Sequence, residues 1–375
     1  METIVPIMMK LIKGVIDQSF IDCSSFMSLT SSQQDSMYSL AASHSIANMV
    51  GEAVGEYHSK FQQAAFESVF QYEMIQHDLN TICSLFDSLH IPYILLKGSR
   101  LCHYYPQPWL RSRGDIDILI LEKDVQKAVS ELCKHDFVFE KDNYHDVHLT
   151  SPSNVCFELH FKILENTPNL DVVLSQVWEY SHLVSEFEYE QSNEYFVFHQ
   201  VAHMAYHFMH GGCGIRPLID LYVLKNQLEY DESIVVGLCK EAKIGVFYKQ
   251  VQSLMNVWFG NGIHSSITLK MQEYILTGGV YGSKENRMRV KRCANHNSFT
   301  YYLSRLFLDY DTLCFLYPSL KGHHYLLPYY EVKRWCRLFN KEKRKSVRNS
   351  ISMNRELSTS SIASVGELLE KLDLK

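Results

Sequence analysis

The residues best suited to chemistry lie in Ile91–Leu121, IPYILLKGSRLCHYYPQPWLRSRGDIDILIL. An apolar run, Pro92–Leu96, ends in Lys97-Gly98-Ser99, and sixteen residues after Ser99 come Asp115-Ile116-Asp117, at the start of a second apolar run. On a strand, successive side chains leave opposite faces, so Asp115 and Asp117 share one face and Ile116 and Ile118 take the other. Two carboxylates so placed repel each other, and a cation between them relieves the cost. Their hard oxygens suit Mg²⁺, which uses one or two carboxylates and completes its shell with water and substrate phosphate. Upstream, Gly98 permits a tight turn, Ser99 can cap a helix, and the N–H groups exposed there attract phosphate. Lys97 either pairs with that phosphate or faces solvent. Arg111 and Arg113 either hold phosphate or pair with Asp115.

A third carboxylate follows in Val155–Phe161, VCFELHF, which alternates so that Cys156, Glu158 and His160 share a face. The Asp146–Thr150 run is strand-like and Ser151-Pro152-Ser153-Asn154 has turn composition, so the two runs form a hairpin that can set Glu158 beside Asp115 and Asp117. Three such acids can hold two Mg²⁺ ions, one activating a hydroxyl and one neutralising a triphosphate. His160 is either an ordering partner for Glu158 or the acceptor, or a satisfied histidine at a strand end.

Gly98-Ser99, then Asp115-x-Asp117, then a lone acid between apolar residues at Glu158, resembles the signature of the polymerase-β-type nucleotidyltransferase superfamily. The fuller wording "LLKGS … YYPQPWLRSRGDIDILI … FELHF" is similar to one bacterial branch, an uncharacterised nucleotidyltransferase-like family, as are His199–Leu224 and Leu306–Leu338. The resemblance runs from about Ser31 to Leu338. It implies an α+β fold, with a small mixed-sheet palm flanked by N-terminal and C-terminal helical regions. It also implies transfer of a nucleoside monophosphate from an NTP to an acceptor hydroxyl, with release of pyrophosphate. Asp115 and Asp117 would bind both metals and Glu158 one, and Gly98 and Ser99 would cradle the β- and γ-phosphates, with Lys97 and Arg113 beside them. The acceptor is left open among small molecules, sugars, peptides and RNA. The alternative is a non-catalytic nucleotide-binding or regulatory module on the same fold.

The elements that must position these residues divide the chain into four stretches. Residues 1–90 have helical periodicity without interruption by proline over long runs, with Phe66, Val69, Phe70 and Met74 at three- and four-residue spacing. Residues 91–165 alternate strand, helix, strand, helix (Lys123–Lys134) and hairpin. Residues 166–340 return to helix, with Ser192–His210 closed by Gly211-Gly212, Pro217 at a first turn, further helices over Asp231–Phe259, Ser266–Leu276 and Ser298–Leu316, and a polar, basic loop over Val280–Asn297. Residues 341–375 form a basic and Ser-rich flexible tail, with a short amphipathic helix at Val365–Leu374.

Within the third stretch, His199, His203 and His207 fall four apart on one helix stripe. That spacing suits packing or a substrate cleft, or alternatively zinc and a hydrolase built on it. Arg216 and Asp220, also four apart, suit an intrahelical ion pair, or Asp220 reaches the acceptor as a general base. His160, His203 and Asp220 are the candidate acceptor pocket. The Lys333–Arg348 run carries eight Lys or Arg against one acid, Glu342, which reads as a solvated helix face or a contact for an acidic partner.

Composition sets bounds on these readings. A net charge of −6 argues against wholesale electrostatic binding of nucleic acid and leaves a local patch open. Ten cysteines without a C-x-x-C pair fit neither a zinc ribbon nor a disulfide scaffold, and point to a reduced cytoplasm. METIVPIMMKLIKGVI is interrupted by Lys10 and Lys13 and reads as an amphipathic helix packed on the body rather than a signal peptide. No window reaches eighteen uninterrupted apolar residues, so no membrane span is expected.

Overall fold

A computed structural model describes residues 3–280, 282–294, 307–308, 310–320, 322–336 and 357–375. Its centre is one seven-stranded mixed sheet with helices on both sides, an α+β fold. The strands are β1 (Tyr93–Leu95), β2 (Asp115–Ile120), β3 (Val138–Asp142), β4 (Asp146–Thr150), β5 (Cys156–His160), β6 (Ser181–Ser185) and β7 (Glu188–Gln191), in the order β3-β4-β5-β2-β1-β7-β6. β2 runs parallel to β5 and antiparallel to β1, and β4 and β5 form the expected hairpin.

Alternation along β2 and β5 decides what lies on each face. Ile116, Ile118 and Ile120 of β2, Phe157 and Leu159 of β5 and Val147 and Leu149 of β4 enter one core. A 30-residue helix, Ser59–Ser88, covers that core with Ile75, Leu79, Ile82 and Phe86, and the Val125–Lys134 helix adds Ala128 and Leu132. Burying these branched and aromatic side chains on both partners contributes about 2 kcal/mol per large side chain, relative to leaving it exposed. The opposite face carries Asp115, Asp117, Glu158 and His160, where apolar packing is interrupted by charge. There Ile94 and Leu119 join the larger core, built mostly from helices Asn193–Met209, Arg216–Gln227 and Gly245–Phe259.

The turn of the β4–β5 hairpin is tied to the long helix. Ser151 and Ser153 hydroxyls donate to the two carboxylate oxygens of the buried Asp78, at 2.5 and 2.9 Å, and this fixes the height at which Glu158 stands.

The N-terminal segment is a helix, Ile4–Ile16, buried nearly all round through Met8, Met9, Leu11 and Ile12. Within the helical pattern of residues 1–90, the stretch 31–54 forms two helices, Ser31–Ser43 and Ala47–Val54, broken at Ser45, whose φ is +53°. Phe66 and Phe70, expected to face the core, are exposed. The long helix turns Phe61, Ile75, Leu79 and Ile82 inward instead.

The return to helix after residue 166 holds for Pro168–Leu174 but fails at β6 and β7, which extend the sheet past β1. Their sequence, SHLVSEFEYEQ, has little apolar alternation because β6 is an exposed edge; β7 is held by parallel pairing with β1. A second correction concerns 280–297, read as a loop: Lys284–Ala294 is helical, despite its charge, through one-sided packing against the C-terminal helix Thr359–Lys371. That last helix buries Val365, Leu368 and Leu369, as its amphipathic pattern predicts. Of the expected Ser298–Leu316 helix, Tyr310–Leu316 is helical, and Lys333–Cys336 ends another helix. Of the former, Phe307 and Leu308 are not helical, and the rest of it, of the basic run and of the Ser-rich linker through 356 lies outside the described residues.

Candidate active site

Asp117 and Glu158 are register partners on the parallel strands β2 and β5, and Asp115 stands two residues from Asp117 on the same face. Two carboxylates about 7 Å apart, as i and i+2 of a strand, repel by about 2 kcal/mol at an effective permittivity near 20. Burial raises this cost, since Asp117 is 4% exposed. The compensation is visible. Lys97 Nζ lies 3.0 Å and His160 Nε2 2.9 Å from Asp117 Oδ1.

Burial by itself would raise the Asp117 carboxyl, but Lys97 and His160 outweigh it and hold it well below the usual carboxylate range. Asp115 goes the other way: burial and then the charge of Asp117 push it up, with Lys97 offsetting part. Burial works against the Lys97 ammonium, but Asp117, Glu165, Asp115 and Glu158 together hold its pKa above the ordinary value.

Lys97 reaches Asp117 from a strained backbone, at φ +44°. The left-handed residue of this turn is therefore Lys97 rather than Gly98. Glycine at 98 answers a different demand: a Cβ there would sit 3.2 Å from Arg113 Cγ and Cδ and 3.4 Å from Arg111 Nη1. The bare backbone lets both arginines lie across the turn. Arg113 is 4% exposed, sits over the Tyr72 ring at 5.4 Å, and has no hydrogen-bond partner on either terminal nitrogen. Burial lowers its pKa. A desolvated guanidinium with both Nη groups unsatisfied has two donors with which to take an anion.

These residues line a cleft of about 270 Å³. Lys97, Gly98, Arg113, Asp115, Asp117 and Glu158 open onto it from the sheet side, and His203 and Asp220 from the helical side. His160 lies beneath Asp117 and Glu158, with its Nε2 3.6 Å from Glu158 Oε2. Ser99 does not open onto the cleft: its side chain is 1% exposed and its hydroxyl has no partner.

Asp220 pairs with Arg111 Nε at 2.7 Å and accepts from Tyr105 OH at 2.6 Å, in place of the intrahelical pair with Arg216. Arg216 instead donates to the Ser112 carbonyl, at 3.1 Å.

The histidine stripe resolves into separate contacts. His199 Nδ1 faces Gln191, and His203 Nδ1 faces Glu165 at 2.7 Å, with His207 Nε2 3.1 Å from His203 Nε2. Burial holds His203 well below its ordinary pKa and pushes His199 and His207 to about 3. Among the described residues, no trio of metal-ligating atoms includes this stripe; Asp117, Glu158 and His160, whose ligand atoms lie within 4.8 Å of one another, form one. Oxygen-rich and with one imidazole, that donor set fits a hard divalent cation.

Glu165 is a neighbour of the site that no sequence pattern marks. It is 9% exposed, and its pKa is raised by burial against the opposing charges of Lys97 and the nearby histidines. It lies in the loop after β5, where no periodicity marks it, and its contact with His203 and its proximity to Lys97 bring it to the site.

No curated protein and no solved structure matches the chain. The model of one protein family, described as an uncharacterised nucleotidyltransferase, matches residues 30–260, which takes in all seven strands and every lining residue of the cleft except Val280. On that match over more than half its length, the chain belongs to this nucleotidyltransferase family.

Proposed function

We propose that the protein is a Mg²⁺-dependent nucleotidyltransferase that moves a nucleoside monophosphate from an NTP to an acceptor hydroxyl. The observation that carries this reading is the facing of Asp115, Asp117 and Glu158, on adjacent strands, by the unpartnered guanidinium of Arg113 across one cleft. Carboxylates on one wall and an unsatisfied cation on another suit a metal–triphosphate ligand, which needs both. Asp115, Asp117 and Glu158 would hold two Mg²⁺ ions, and bound Mg²⁺ would supply Lewis-acid charge at the phosphate oxygens.

The chain's own groups then position the reactants. Arg113 takes the phosphate oxygens through its two Nη groups, and Lys97, already on Asp117, adds a second positive charge. Gly98 keeps the wall bare enough for the triphosphate to approach, with Ser99 in the turn behind it. The acceptor enters from the side of His203 and Asp220. Its hydroxyl loses a proton near Glu158, with His160 ordering that carboxylate, and attacks the α-phosphorus as pyrophosphate leaves. Positioning and charge neutralisation supply the rate, so loss of either aspartate costs several orders of magnitude. The acceptor class stays open among small molecules, sugars, peptides and RNA, and the ten unpaired cysteines fit a reducing, cytoplasmic setting.

The test is a thermal-shift series with each of the four NTPs, with and without Mg²⁺, on the wild type and on Asp115→Ala/Asp117→Ala. The expected result is a Mg²⁺-dependent shift that the double variant loses. No shift with any NTP overturns the reading. A shift without pyrophosphate release in the presence of any acceptor class would favour the non-catalytic nucleotide-binding module.

A further inference from the structure

Glu158 has a second set of neighbours, on the side away from Asp117. The hairpin register sets His148 of β4 directly opposite Glu158 and puts Cys156, two residues earlier on β5, on the same face. The ligand atoms of His148, Cys156 and Glu158 lie within 4.8 Å of one another. His148 Nδ1 is 3.5 Å from Glu158 Oε1, and the other carboxylate oxygen, Oε2, is turned toward His160. Cys156 is exposed and unpaired, so the trio is open to solvent.

The outer shell is also built. His148 Nε2 lies 3.3 Å from Asp146 Oδ1, and Asp146 is held in turn by His145 Nε2 at 3.1 Å. A carboxylate on the far nitrogen of a histidine fixes its tautomer with the proton on Nε2 and leaves Nδ1 free to ligate.

We propose that His148 Nδ1, Cys156 Sγ and Glu158 Oε1 form a binding site for a thiophilic divalent cation of the Zn²⁺ class, with a fourth position open to water. Tetrahedral Zn²⁺ with bonds of about 2.0–2.3 Å holds its ligand atoms roughly 3.4–3.6 Å apart. The His148–Glu158 pair is already at that spacing, and Cys156 Sγ lies within 4.8 Å of both ligand atoms. Sulfur excludes Mg²⁺ from this set and favours a softer ion, whereas Asp115, Asp117 and the other Glu158 oxygen favour a hard one. Binding releases the Cys156 thiol proton to solvent. Because both sets draw on the one Glu158 carboxylate, a soft cation on His148 and Cys156 withdraws negative charge from the carboxylate that the proposed nucleotidyl transfer uses, and inhibits it. That inhibition rests on the proposed function; the binding does not.

The test is titration of the full chain with Cd²⁺ alone, read as the ultraviolet thiolate-to-metal absorption. Wild type is expected to gain a band, saturating at one equivalent, that Cys156→Ser lacks, and His148→Gln is expected to weaken binding at least tenfold. Added Zn²⁺ should displace the band. The absence of a saturable band, or one of equal size in Cys156→Ser and therefore owed to the other nine cysteines, overturns the site. The NTP-dependent thermal shift of Cys156→Ser is read in parallel and is expected to match the wild type, so failure of the metal site and failure of the proposed function give separate signals.

Discussion

Arg111 and Asp220, 109 residues apart in the chain, meet at 2.7 Å with both side chains more than nine-tenths buried. The pair joins the segment leading into β2 to the helix Arg216–Gln227 and so ties the carboxylate wall of the cleft to its helical wall. Tyr105 OH shares the same Asp220 oxygen.

Breaking this pair from one side leaves a buried charge with nothing opposite it. Asp220→Ala is expected to cost about 3–5 kcal/mol of stability in urea unfolding, and Arg111→Met/Asp220→Leu should recover much of that, since desolvation of both charges is avoided. A double variant no more stable than Asp220→Ala would show that the pair acts through something other than its charge.

The two aspartates of β2 are predicted to differ in what they do for stability. Asp117→Asn removes the charge that Lys97 and His160 share, and should lower stability by about 2–3 kcal/mol. Asp115→Asn removes a carboxyl that burial and Asp117 already disfavour in its charged form, and should be neutral or slightly stabilising. Thermal unfolding without ligands reads the difference, and an equal loss from both would contradict this electrostatic account.

Arg113 separates stability from binding. Arg113→Met keeps the contact with Tyr72 and removes an unsatisfied buried cation, so folding is expected to be unchanged or improved. If the guanidinium holds phosphate, NTP affinity should fall at least tenfold, about 1.4 kcal/mol or more. Arg113→Lys should restore little, because a point charge cannot offer two parallel N–H groups. Calorimetric titration with Mg²⁺–NTP gives the answer.

A pH dependence follows from His44. It is fully buried. Its Nε2–H donates to the Leu276 carbonyl at 3.3 Å, and its Nδ1 accepts from the Ile215 N–H at 3.2 Å, so only the neutral ring fits. Burial pushes its pKa down to about 4, partly offset by the Leu276 contact. The unfolded chain takes up the proton first as pH falls, so this contribution is complete above about 6.5 and is lost progressively down to about 4. At about 1.4 kcal/mol per pH unit, the loss over that window is about 3 kcal/mol. Urea unfolding at several pH values should show a steeper fall for the wild type than for His44→Gln, and identical slopes would sink the assignment.

Much of the site was legible because it depends on short-range rules. Period-two alternation put Asp115 with Asp117, and Cys156 with Glu158 and His160, and the turn composition of 151–154 paired the hairpin that the structure contains. The Gly98 turn was legible as a turn, but its reason was not. The left-handed φ belongs to Lys97, and the space at Gly98 is set by Arg111 and Arg113 lying over it, which no local pattern encodes.

The chain's local periodicity determined by itself which residues share a face of β2 and β5, and so the charge of the cleft floor, because backbone geometry repeats every two residues whatever packs around it. Only the tertiary structure decided what meets that floor. Glu165 reaches His203, Asp220 takes Arg111 rather than Arg216, and β6 and β7 extend the sheet past β1. These are contacts between segments far apart in the chain, fixed by burial and by the need of each buried charge for a partner. A sequence states which charges exist, and the fold selects which of them are close enough to compensate one another.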